Sequence, residues 1–197
     1  MQDLGKIEAA ADSGNMTGTR LAPKCQSAKD RASCHPAEES MAGSVEKKLA
    51  SLGVTLPTPA SPVANYVPFV RSGNALVVSG QLCFGADGKL IAKGQLGAAV
   101  SIEEGQKAAR ACAINLLAQL KAALGDLDKV ARVVRLGGFI NSTPGFTDGP
   151  KVMNGASDLM VEAFGDKGRH ARSTVGVAAL PADAAVEVEG LFEISGA

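Results

Sequence analysis

HARSTVGVAALPADAAVEVEGLFEI, residues 170–194, alternates apolar with polar or small side chains on either side of a Leu-Pro-Ala-Asp-Ala break. Such period-two alternation marks half-buried strands, and Pro with Asp between two such runs marks a turn. The stretch predicts strands over 172–180 and 185–194, joined as a hairpin around Pro181-Ala182-Asp183-Ala184. In the first, Val175, Val177 and Ala179 share one face and Arg172, Thr174, Gly176 and Ala178 the other; in the second, Val186 and Val188 oppose Glu187 and Glu189. The valines are expected to pack against helices, leaving Arg172 and Glu187 on the uncovered face.

Working outward, Val152, Leu159, Val161 and Phe164 stripe a helix over 150–165, and the β-branched run KVARVVRLGGFI (129–140) before it reads as a strand. Ser101-Ile102-Glu103-Glu104 has the form of a capping box, and Ala108, Cys112, Leu116 and Leu120 follow at helical spacing until Gly125. YVPFVR and ALVVSGQ flank Ser72-Gly73-Asn74, a hairpin with a loop of about three residues. The order β-β-α-β-α-β-β predicts an α+β sheet with two long helices on one face. Upstream, Ser44 is placed to cap a short helix over 45–52, and LPTPASP (56–62) is a stiff spacer. Residues 1–43 show neither periodicity and are expected to be a disordered tail, a tag or a leader, leaving 44–197 as one domain with 44–62 as its helix and spacer.

Composition narrows the function. Twenty Lys+Arg balance twenty Asp+Glu in the 197-residue chain, so no basic field gathers nucleic acid, and one Tyr with no Trp leaves few platforms for stacking bases. No run is long and apolar enough to span a membrane, and no secretory h-region is present, so a cytoplasmic location with no membrane partner is expected. Cys25, Cys34, Cys83 and Cys112 form no CxxC pair; no metal site is expected, and Cys83 and Cys112 are read as buried thiols. Ser79 lacks His and Asp partners for a hydrolytic triad, and SGNALVVSG lacks the Gly-Lys-Ser/Thr of a phosphate loop.

The uncovered face is the informative feature, since Leu191 and small residues there suit contact with another subunit. If the hairpin turns near residues 182 and 183, Arg172 lies opposite Glu193, about six positions from Glu187, or roughly 20 Å at strand rise. The two could then meet only between copies of the chain. Periodicity alone leaves plainer roles open: a solvated Arg and edge-protecting glutamates.

VANYVPFVRSGNALVVSGQ (63–81), HARSTVGVAALPADAAVEVE (170–189) and the helix-strand-helix between them resemble the RidA/YjgF family of 2-imino acid (enamine/imine) deaminases, some members of which are called L-PSP endoribonucleases. The most specific pieces are Arg172-Ser173, the Leu180-Pro181 turn and Glu187-x-Glu189; the resemblance spans residues 61–194. It implies a chorismate-mutase-like fold, a homotrimer with active clefts between subunits, a small carboxylate substrate and no cofactor. Position by position, it implies that Arg172 holds the substrate carboxylate and Glu187 positions the attacking water, with Tyr66, Gly80, Asn154 and the backbone of Thr174 around the ligand. Thr174 stands where typical deaminases have Cys, and the 141–153 connection is longer than usual, as in a less characterised bacterial branch without assigned substrates. The implied reaction is hydrolysis of a 2-imino acid, such as that derived from 2-aminoacrylate, to a 2-keto acid and ammonia. A non-catalytic metabolite-binding or chaperone-like role and an endoribonuclease are the alternatives.

Overall fold

The computed structural model describes residues 43–59 and 65–195, where the periods above become three helices and five strands. These are α1 (Ser44–Ser51), β1 (Phe69–Ser72), β2 (Ala75–Leu82), α2 (Ile102–Leu124), β3 (Val130–Asn141), α3 (Gly149–Phe164), β4 (Ala171–Val177) and β5 (Val186–Ile194). The tail expected over 1–43 lies, except for Gly43, outside the described residues. None of the described helices is long and apolar enough to cross a membrane.

Local chemistry sets α2: the Ser101 hydroxyl accepts from Glu104 N–H, the Glu104 carboxylate accepts from Ser101 N–H, and Gly125 closes the helix in the left-handed conformation at φ 72°. The start of α1 is different. The Ser44 side chain makes no cap; instead Asp128 reaches across from the turn before β3 and accepts from Ser44 N–H at 2.7 Å, Ser44 Oγ at 2.9 Å and Val45 N–H at 2.9 Å. A carboxylate at the positive end of a helix is favourable, and it pins α1 to the domain.

The sheet order is β1-β2-β5-β3-β4, antiparallel except for the β3–β4 pair. The β1–β2 turn is tighter than expected, because Ser72 pairs with Ala75 around Gly73, which adopts φ +58°, and Asn74. Leu76, Val78, Val133, Leu136, Ile140, Val186, Val188 and Phe192 project from one face and are buried against α2 and α3. The two helices approach so closely that a Cβ at Gly155 would strike the Gln106 carbonyl.

The expected hairpin between the last two strands does not form. β4 runs parallel to β3 at the outer edge, whereas β5 lies on the other side of β3, between it and β2. The chain therefore crosses the end of β3 through a single 3-10 turn at Pro181–Asp183, with Ala182 and Asp183 held at φ 55° and 59°. Buried Asn141 fastens the crossing: its side-chain amide donates to Asp183 Oδ1 at 3.2 Å and the Ala184 carbonyl at 3.3 Å, and its N–H donates to Ala185 O at 3.0 Å. Physically, β5 takes the central place because Val186, Val188 and Phe192 are fully apolar on one face, while β4 has no residue with a buried side.

Candidate functional site

Arg172, Asn154 and Thr174 gather on the helix side of the sheet and Glu187 and Gly80 on the other, with Tyr66 before β1. The first group lies where β4 overhangs the start of α3. Arg172 Nη1 donates to Asn154 Oδ1 at 3.1 Å and Ser157 Oγ at 3.0 Å, and Nη2 donates to the Pro150 carbonyl at 3.2 Å. Of the guanidinium's N–H groups, Nε–H and one Nη2–H thus remain without a partner among the described residues. Nε and Nη2 share one edge of the planar group, and such an edge can receive a carboxylate through two parallel bonds. Thr174, two residues on and therefore on the same side of β4, places its methyl 3.2 Å from where a Cβ on Gly149 would sit.

This placement corrects the faces expected from alternation. Arg172 and Thr174 point toward the helix layer, while Val175, 49% exposed, lies on the uncovered side. Alternation separates two faces without saying which is covered, and an edge strand that overhangs a helix end can turn its polar row inward.

The second group is Glu187 and Gly80, with Tyr66 joined to it only through a cavity that it shares with Gly80. Glu187 does project from the uncovered face, since its neighbours Val186 and Val188 are buried under the helices. β2 carries an extra residue here: Val78 pairs with Gly190 but Gln81 with Val188, so a bulge falls at Ser79-Gly80. A Cβ at Gly80 would collide with the Glu187 carboxylate, so glycine is what lets that carboxylate lie over β2. Burial, and second the negative charge of Glu189, push the Glu187 carboxyl above the usual carboxylate range. Gly80 also lines a cavity of about 530 Å³ with Tyr66, Pro68, Leu82, Phe84 and Asn115.

Within one chain the groups stay apart. Arg172 is level with Leu136 and Glu187 with Phe139, so they are three residues offset and separated by β3. That is roughly 14 Å between Cα atoms on opposite faces, from strand rise and spacing, rather than the expected 20 Å along one hairpin.

Two residues that sequence reasoning missed complete the first group. Ser157 Oγ lies 3.1 Å from His170 Nε2, and His170 Nδ1 lies 2.7 Å from the Gly168 carbonyl. Burial holds the imidazole below its ordinary pKa and the Arg172 charge acts the same way, against the Gly168 bond. The signals were available: Ser157 follows Asn154 by three on one helix face, and His170 precedes Arg172 by two on an extended chain. Among the described residues, Glu46, Asp126 and Asp128 are spaced to hold a cation, but Asp128 caps α1 and Glu46 is paired with Lys121 at 2.5 Å.

Residues 46–193 match the model of the YjgF/chorismate mutase-like endoribonuclease family. Protein TCP17 of Trypanosoma cruzi is 53% identical over 154 residues, covering 78% of this chain and 96% of that protein. Protein Atu1372 of Agrobacterium tumefaciens, of unknown function, is 49% identical, covers 77% of this chain and 92% of that one, and superposes with a TM-score of 0.72. A candidate endoribonuclease from Shewanella oneidensis MR-1 is 37% identical, with coverage of 76% and 99% and a TM-score of 0.74.

Proposed function

The chain belongs to the YjgF/chorismate mutase-like (RidA) family, and from that premise we propose that it hydrolyses reactive 2-imino acids in the cytoplasm to 2-keto acids and ammonia, at clefts formed between copies of itself. The observation that carries this reading is the pair of donors, Nε–H and one Nη2–H, that Arg172 keeps for a ligand while three bonds to α3 hold its guanidinium in place. Arg172 of one protomer takes the substrate carboxylate, with Asn154 and Thr174 beside it. Glu187 of a neighbour, with Gly80 and Tyr66, faces the imine carbon.

Glu187 orients a water and accepts its proton as the water oxygen bonds to the imine carbon and the C=N electron pair moves to nitrogen. The resulting carbinolamine loses ammonia once its nitrogen takes up a proton, and the hydroxyl collapses to the ketone. An elevated carboxyl pKa suits a group that first accepts and then returns a proton. No cofactor enters, because the imine is already electrophilic and orientation with fixed charge is the help it needs.

The test supplies the imine from a pyridoxal-phosphate dehydratase in the presence of semicarbazide as trap. Added protein is expected to speed keto-acid release and lower semicarbazone yield, and Arg172→Ala to remove the effect; equal acceleration by the variant rejects the assignment. Separation of Arg172 from Glu187 within the chain favours a second reading, a carboxylate-binding protein without turnover. Keto-acid binding with no imine hydrolysis would select it. RNA cleavage by nuclease-free protein would select the endoribonuclease that the family description names.

A further inference from the structure

We propose that Ser157 and His170 are positioning residues for Arg172, a relay that fixes which edge of the guanidinium is offered to a carboxylate. The inference rests on the reading of Arg172 as the carboxylate clamp.

The direction of the relay follows from which groups can only accept. The Gly168 carbonyl has no proton to give, so His170 Nδ1, 2.7 Å away, carries the hydrogen. In the neutral imidazole Nε2 is then a bare lone pair, and the Ser157 hydroxyl 3.1 Å from it must donate. With its proton committed to His170, Ser157 Oγ presents lone pairs, and Arg172 Nη1 donates to it at 3.0 Å. Each step leaves one choice for the next.

The relay is anchored at both ends. Ser157 sits in the middle of α3, where its neighbour Ala156 and the next-turn residue Met160 are fully buried, so its Cβ cannot drift. His170 is tied to the turn at Gly165–Gly168 through Gly168. A guanidinium held only by Asn154 and Pro150 could pivot about those two contacts. The third bond, to Ser157, occupies the second Nη1 hydrogen, so the donors left for a ligand are Nε–H and the remaining Nη2–H. The ligand this favours is a planar carboxylate meeting those donors with both oxygens.

The test measures calorimetric binding of 2-oxobutanoate and of its uncharged isostere 2-oxobutanamide to the full chain and to variants that match it in thermal midpoint. Ser157→Ala is expected to weaken 2-oxobutanoate binding about tenfold, the scale of one hydrogen bond to a charged group. The amide, which lacks the second carboxylate oxygen, should lose no more than about twofold, and Ser157→Thr, which keeps the hydroxyl, should restore acid binding to within about threefold. His170→Leu, which removes the acceptor of the Ser157 proton, should weaken acid binding in the same sense, and it carries the test if the alanine variant fails to fold.

Acid binding unchanged in Ser157→Ala while Arg172→Ala loses it would overturn the relay and leave the clamp standing. Equal losses for acid and amide, or no rescue by threonine, would overturn it as a merely structural contact. Absence of acid binding by the wild-type chain, or Arg172→Ala binding like wild type, would instead remove the clamp reading beneath it.

Discussion

Glu187 shows how one residue ties stability to chemistry. Its carboxyl is pushed above the ordinary value of 4.5, first by burial and then by Glu189. A carboxyl raised in the fold favours the folded state when protonated, so its contribution is fully present below the unfolded value and is lost as pH rises through the folded one. Glu187→Gln, which stays uncharged, is therefore expected to raise the thermal midpoint by about 2–4 °C near pH 8 and to leave it unchanged below about pH 4, while abolishing imine hydrolysis. Thermal melts of both proteins across that range check the sign; a midpoint gain at low pH instead of high would contradict it. The face of Glu187 was legible in the sequence, since Val186 and Val188 around it are strongly apolar. Arg172 was legible as a residue but not as a direction, because β4 residues are all partly exposed and alternation there gives no inside.

At the scale of elements, starts and stops were readable wherever the signal is local. Ser101 with Glu104 announces α2 from four consecutive residues, and Gly125 ends it. The start of α1 was misassigned because its cap, Asp128, stands 84 residues away from Ser44. Asp128→Ala is expected to cost about 1–2 kcal/mol in urea unfolding and to speed amide exchange in α1 before any other helix. Exchange that rises evenly through α2 and α3 would mean α1 is not held by that carboxylate. Strand pairing was unreadable for a related reason. Two alternating segments around Pro-Ala-Asp-Ala satisfy a hairpin pattern, and the crossing that replaces it is fastened by Asn141, some 40 residues upstream, whose amide grips it.

Across the described residues, one sheet face has no helix layer. Val70, Val77 and Val175 on it are 53%, 49% and 49% exposed, with Leu191, Phe139 and the Glu187–Glu189 pair among them. Faces of this kind are characteristically covered by further copies of the same chain. Light scattering is expected to give three times the 19.9 kDa of one chain, and Val77→Asp to reduce the mass to one chain and to remove imine hydrolysis with it, without unfolding the protein. A monomeric wild type, or a monomeric variant that still hydrolyses imines, would contradict a cleft shared between copies. The resemblance carried each candidate residue into view, but its division into Arg172 with Asn154 and Glu187 with Gly80 depends on which side of β3 each strand lies, and no short motif encodes that. The same inserted strand bears on how the protein is made. Because β5 is the last in chain order of the five described strands and the middle one of the sheet, a nascent polypeptide in which it has not yet emerged has a vacant slot between β2 and β3, with open backbone edges on both sides. Completion of the sheet waits for β5 to emerge, so the half-made sheet is the form most in need of protection from aggregation.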